Sequence, residues 1–153
     1  MNNGCLSPRS KGKKIRSGAF HLTQMVDYGL FFLAILGKEN ASRSIRSIAN
    51  EYDLSFAFLQ KTANRLKRAG LVSAERGKDG GYSLAKTVFE ISMQEIIEAL
   101  EGPVAVMDCL LPNTMRVRVC PRGPVCTVRN GLARLNEHIK AYTSSKSLAE
   151  FIS

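Results

Sequence analysis

The sequence has only two histidines in 153 residues. Neither His21 nor His138 belongs to a histidine–carboxylate–nucleophile constellation, so an enzyme is not expected. Long apolar runs are also missing. The most apolar stretch, around Gly29–Leu36, falls well short of the roughly 20 residues that span a bilayer and reads as a buried helix. The first residues lack the basic-then-apolar order of a secretory signal, and no internal repeat occurs. A cytoplasmic protein with reduced thiols is therefore expected, and no membrane partner. Acidic residues are scarce as well: 13 against 22 Lys and Arg, for a net charge of +9 and a pI near 9.7. That balance favours a polyanionic partner, because positive potential speeds encounter with phosphate backbones.

What is present divides into four stretches. Residues 1–19 form a basic leader in which Arg9, Lys11, Lys13, Lys14 and Arg16 face no acid. It is too polar to build a core, and reads either as an arm adding phosphate contacts or as a solubilising tail. Residues 20–103 follow as a folded domain, residues 104–126 as a cysteine-containing loop, and residues 127–153 as a C-terminal helix and tail. The expected fold is mostly α: a winged helix-turn-helix domain with a long C-terminal dimerisation helix and a cysteine-bearing cluster loop.

The elements of the domain follow from caps and periodicity. Thr23 caps a helix carrying Met25, Val26, Leu30, Leu33, Ala34 and Leu36 at three- and four-residue steps, with Gly37 as its stop. Ser44 starts a short helix with Ile45, Ile48 and Ala49 on one side. Ser55 caps a third helix running to Gly70, whose core face is Phe56, Leu59, Ala63 and Leu66. Two short strands at 71–75 and 82–85 flank a glycine-containing reversal, and Ser92–Glu95 is a capping box opening a further helix that ends at Gly102. From about Cys126 to Tyr142 a last helix aligns Val128, Leu132, Leu135 and Ile139. This stripe fits a dimer interface, with packing on its own domain as the alternative.

In a helix-turn-helix the second helix enters the major groove. The residues so placed are Ser55, Ala57, Phe58, Gln60, Lys61 and Asn64. Gln60 and Asn64 suit adenine, Lys61 suits guanine or phosphate, and Arg65 suits phosphate. Arg76 and Lys78 at the wing tip suit a narrow minor groove. Double-stranded DNA is the expected partner, bound by a homodimer.

Cys109, Cys120 and Cys126 lie within eighteen residues. Clustered thiols suit an iron–sulfur centre or zinc. The five residues between Cys120 and Cys126 exceed the two-residue knuckles of structural zinc sites, which favours iron–sulfur over zinc. Three buried thiols without a ligand are the remaining possibility.

The segments HLTQMVDYG (21–29), SIRSIANEYDLSFAFLQK (44–61) and GLVSAERGKDGGYSLA (70–85), with the three later cysteines, resemble the Rrf2 family of bacterial winged-helix transcription regulators over about residues 20 to 153. The resemblance implies a homodimer formed through the C-terminal helix, promoter binding, and a 2Fe–2S or 4Fe–4S cluster that sets DNA affinity in response to nitric oxide, redox state or iron–sulfur supply. Two departures stand out. Ten residues separate Cys109 from Cys120, a longer gap than the family pattern has, and Arg129 stands where some members place a ligating histidine. Asp27 matches the aspartate that nitric-oxide-sensing members donate from the partner subunit; it reads equally as a surface carboxylate. His21, His138 and Cys5 match no ligand position. The competing function is a zinc- or thiol-dependent metal-binding interaction protein without cluster-controlled DNA binding.

Overall fold

The structure, a computed structural model, describes residues 22–75, 77, 80–111, 120 and 122–152. The N-terminal leader, with His21, Cys5 and its basic residues, lies outside them, as do Arg76 and Lys78 of the wing.

Among the described residues, five α-helices and one hairpin follow in chain order: α1 (Gln24–Glu39), α2 (Ile45–Glu51), α3 (Phe56–Arg68), β1 (Val72–Ala74), β2 (Tyr82–Leu84), α4 (Met93–Glu101) and α5 (Arg129–Ser145). The mostly helical winged helix-turn-helix fold is therefore present. Each of the first three helices starts on a hydroxyl that accepts from a backbone N–H of its own first turn: Thr23 from Val26, Ser44 from Ser47, and Ser55 from Phe58. The capping box at Ser92 and Glu95 closes in both directions. Antiparallel pairing sets Val72 opposite Leu84 and Ala74 opposite Tyr82.

The core lies between α1, α3 and α4. Phe32, Leu33 and Leu36 of α1 meet Leu59 and Leu66 of α3 and Ile96 and Leu100 of α4, all essentially buried. Gly29 lets Leu100 lie against the backbone of α1, where a Cβ would collide with it. A final 3₁₀ turn at Leu148–Phe151, opened by a second capping box at Ser147 and Glu150, buries Leu148 in the same core.

Three expectations are corrected. Gly37 does not end α1, which runs on to a left-handed Asn40 at φ 47°. The glycine is required for a different reason: a Cβ there would lie 2.6 Å from Cγ1 of Val88. Phe56 does not join the core face of α3 but is 42% exposed, and the buried residues of that helix are Leu59, Thr62, Ala63 and Leu66. The last helix also begins later than expected, at Arg129. A 3₁₀ turn at Gly123–Val125, with Pro124 at its second position, precedes it.

Candidate functional site

On α3 the exposed residues Ala57, Gln60, Lys61, Asn64, Lys67 and Arg68 recur at three- and four-residue steps, so they form one outward face. Ser55 is exposed at its head, its Oγ held by the cap. Two predicted contacts are engaged elsewhere. Phe58 is half-buried and packs edge-on against Tyr28, with ring centroids 4.7 Å apart. Arg65 is half-buried and its Nη1 donates to the backbone carbonyl of Leu100. A cation at that carbonyl complements the negative end of the α4 dipole, which holds the guanidinium away from the outward face.

The hairpin is fixed to the helix-turn-helix by Arg43, a residue the sequence reading passed over. Its backbone pairs with Tyr82 in both directions, at 2.9 Å and 2.8 Å. Nη1 donates to Glu39 at the end of α1, and Nη2 to Glu51 at the end of α2, both at 2.5 Å. Nη2 also reaches Ser47 Oγ at 3.2 Å. The hydrogen bond to Glu39, then that to Glu51, raises the Arg43 pKa above its ordinary value; Arg43 in turn lowers that of Glu51. Arg43 thus ties α1 and α2 together through its side chain and holds the wing through its backbone. Gly81 makes the close approach possible, since a Cβ there would sit 2.7 Å from the backbone carbon and oxygen of Arg43. From the wing, Tyr82 Oη donates to Asn64 Oδ1 on α3 at 3.3 Å. Glu39 and Arg43 stand four residues apart, but Arg43 lies beyond the end of α1, after the left-handed Asn40, so no helical spacing in the sequence signals the bridge.

The cysteines lie between α4 and α5. Cys109 sits in a 3₁₀ turn at Asp108–Leu110, and Cys126 caps the turn just ahead of α5. Cys109, Cys120 and Cys126 are all free and half-buried. Upstream of Cys109 the chain is held by Asn136, 3% exposed on α5, whose Oδ1 accepts from Val106 N at 3.0 Å. Thiolates are suitable donors for iron, but in the single chain no three His, Cys, Asp or Glu side chains among the described residues converge to hold a metal ion. Asp27 is exposed in the first turn of α1, and His138 is exposed on α5.

The predicted stripe of α5 is only partly covered. Val128 is 61% exposed and Leu135 43%, while Leu132 and Ile139 are half-buried. Tyr142 extends the exposed apolar row. Among the described residues, no helix is long and apolar enough to cross a membrane.

Residues 22–153 match the model of the Rrf2 family, described as iron-dependent transcriptional regulators. Among solved structures, CymR of B. subtilis, the global cysteine regulator, is 28% identical with a TM-score of 0.65, covering 86% of this chain and 95% of its own. The oxidized form of S. aureus CymR is 26% identical with a TM-score of 0.61, covering 84% and 93%. IscR of T. potens is 26% identical with a TM-score of 0.61, covering 86% and 85%.

Proposed function

The chain belongs to the Rrf2 family of transcriptional regulators, which are not enzymes, and on that footing we propose that it binds palindromic promoter DNA as a homodimer, with its affinity set by the chemical state of Cys109, Cys120 and Cys126. The observation that carries the DNA reading is the outward row Ala57, Gln60, Lys61 and Asn64 on a helix locked beside the wing. With the wing pinned through Arg43, α3 and the hairpin meet a duplex as one body. Gln60 and Asn64 supply paired donor and acceptor groups for adenine edges, and Lys67 and Arg68 supply charge for phosphates. Arg76 and Lys78 enter the narrow minor groove, and the basic leader adds phosphate contacts that carry no sequence information.

The test is a binding-site selection with wild type, Gln60→Ala and a chain lacking residues 1–18. Gln60→Ala is expected to relax preference at one base position per half-site, at a cost of about 1–3 kcal/mol. The truncation is expected to weaken all sequences alike and to flatten the salt dependence. A truncation that changes the preferred sequence, with Gln60→Ala leaving it intact, would reverse this division of roles.

The uncovered row Val128, Leu135 and Tyr142 supports α5 as the dimer seam. Leu135→Asp is expected to move the protein from dimer to monomer in sedimentation at micromolar concentration, with its thermal midpoint nearly unchanged if measured on the monomer, because Leu135 is exposed in the single chain. A variant that sediments as a dimer would place the seam elsewhere.

Two forms of the thiol input each have support. An iron–sulfur cluster is favoured by thiolate donor chemistry and by the iron-dependent character of the family; Asp27 of a second protomer would be the fourth donor. Direct thiol oxidation is favoured by the likeness to CymR, the global cysteine regulator, of which an oxidized form from S. aureus has been solved. Anaerobic purification with iron and sulfide quantification separates them. Brown protein with both elements supports the cluster, and colourless protein whose DNA binding responds to oxidant supports the thiols alone.

A further inference from the structure

Phe56 opens α3 and leaves a phenyl ring 42% exposed at the end of the helix that meets DNA. The core does not need this ring, because Phe58 and Leu59 fill the space beneath the first turn: Phe58 lies against Tyr28 and Leu59 is fully buried. Nor is the ring a loose surface residue. The guanidinium carbon of Arg46, the second residue of α2, lies 5.7 Å from its centroid, within cation–π range. Arg46 is itself exposed and has no ion-pair partner among the described residues, so its charge is free for another anion.

Those positions match two different features of a duplex. The helix before the recognition helix crosses the sugar–phosphate backbone, and the first residues of the recognition helix face base edges. In the major groove the apolar feature of a base pair is the C5 methyl of thymine, and phenylalanine is one of the side chains that meets it. With the guanidinium covering one ring face, the outer edge of the ring stays open to such a methyl.

We propose that Phe56 is a specificity-determining residue that reads a thymine methyl in each half-site, with Arg46 stacked on it and gripping the adjacent phosphate. This rests on the reading of α3 as the groove helix. It adds to the polar contacts a contact that no hydrogen bond supplies, and it explains an exposed phenylalanine that packing does not.

The experiment uses the full chain and its footprinted promoter, with each thymine of the half-site replaced singly by deoxyuridine. That replacement removes the methyl and leaves every hydrogen-bonding group in place. Wild type is expected to bind about threefold to fivefold more weakly at one position per half-site, the worth of one methyl withdrawn from water. Phe56→Ala is expected to bind thymine and uracil duplexes equally, at the weaker level, and Phe56→Leu to retain part of the discrimination. Arg46→Ala is expected to weaken both duplexes alike. No methyl-sensitive position in wild type overturns the proposal, including the case in which the ring serves a protein partner. So does methyl sensitivity that persists undiminished in Phe56→Ala. Absence of any footprint would instead remove the promoter-binding reading. Because Phe56 is exposed, an unchanged thermal midpoint is expected for Phe56→Ala and certifies the comparison.

Discussion

Gly81→Ala is expected to lower the thermal midpoint by about 6–20 °C and to abolish sequence-specific DNA binding. The new methyl would sit 2.7 Å from the backbone carbon and oxygen of Arg43, and backbone cannot step aside as a flexible side chain does. Either β2 moves off Arg43 and the two backbone hydrogen bonds to Tyr82 are lost, or the turn before α2 shifts and strains the Glu39–Arg43–Glu51 bridge. Overpacking of this kind costs about 1–3 kcal/mol and the two lost hydrogen bonds about 2 kcal/mol, for a total near 3–5 kcal/mol. In a chain of 153 residues each such kcal/mol moves the midpoint by about 2–4 °C. Gly123→Ala is the matched control, since a Cβ there meets nothing within 4 Å. Calorimetry on both variants decides the matter, and a Gly81→Ala midpoint equal to that of Gly123→Ala would show that the wing is not anchored through this approach.

Cys120→Ala and Cys126→Ala are each expected to fix promoter affinity at one value whatever the redox treatment, where wild type shifts between two. The segment holding these thiols runs from α4, whose last turn receives Arg65 of α3, to α5, the proposed dimer seam. A chemical change there therefore acts on elements bonded both to the recognition helix and to the seam. A signal can shift the DNA-binding equilibrium only by its differential affinity for the two arrangements, which bounds the change at about 1–3 kcal/mol, or roughly 5- to 150-fold. Affinity titrations of anaerobic and oxidised samples, with iron and sulfide measured on each, read this out. Full iron in a variant would exclude that cysteine as an indispensable ligand, and a variant that still responds would exclude it from the switch. Asp27→Ala is expected to alter cluster stability if the carboxylate is a ligand, and to change nothing if it is surface decoration.

Much of the fold was legible because its signals are local. Thr23, Ser44, Ser55 and Ser92 each cap a helix with a side chain that reaches three residues ahead, a geometry written in neighbouring positions. The hairpin was equally visible in the change of period after Gly70. What was not legible depends on distant partners. Periodicity assigned the ring of Phe56 to the core because it lies on the same stripe as Leu59, Ala63 and Leu66. The inward ring is that of Phe58, which finds Tyr28 on α1. Arg65 looked like a phosphate contact until Leu100, thirty-five residues away, supplied a carbonyl for it. Gly37 read as a helix stop, whereas its absent side chain makes room for Val88. The Ser147–Glu150 capping box was written in the sequence and simply went unread. At the candidate site the outward row of α3 followed from spacing, but the anchoring of the wing by Arg43 required the fold to bring Glu39 and Glu51 to its side chain and Tyr82 to its backbone.

The most direct test of a thiol-controlled DNA reader is a hydroxyl-radical footprint of the full chain on its promoter, taken with the cysteines in the anaerobic state and again after oxidation. The expected result is two protected half-sites spaced by one helical turn of DNA, about 10 base pairs, or a multiple of it. Half-protection should shift between the two states by at least about fivefold in protein concentration, and this shift should be absent when Cys109, Cys120 and Cys126 are all replaced by Ser. Protection that is identical in both states, or that spreads over the fragment without half-sites, would contradict it.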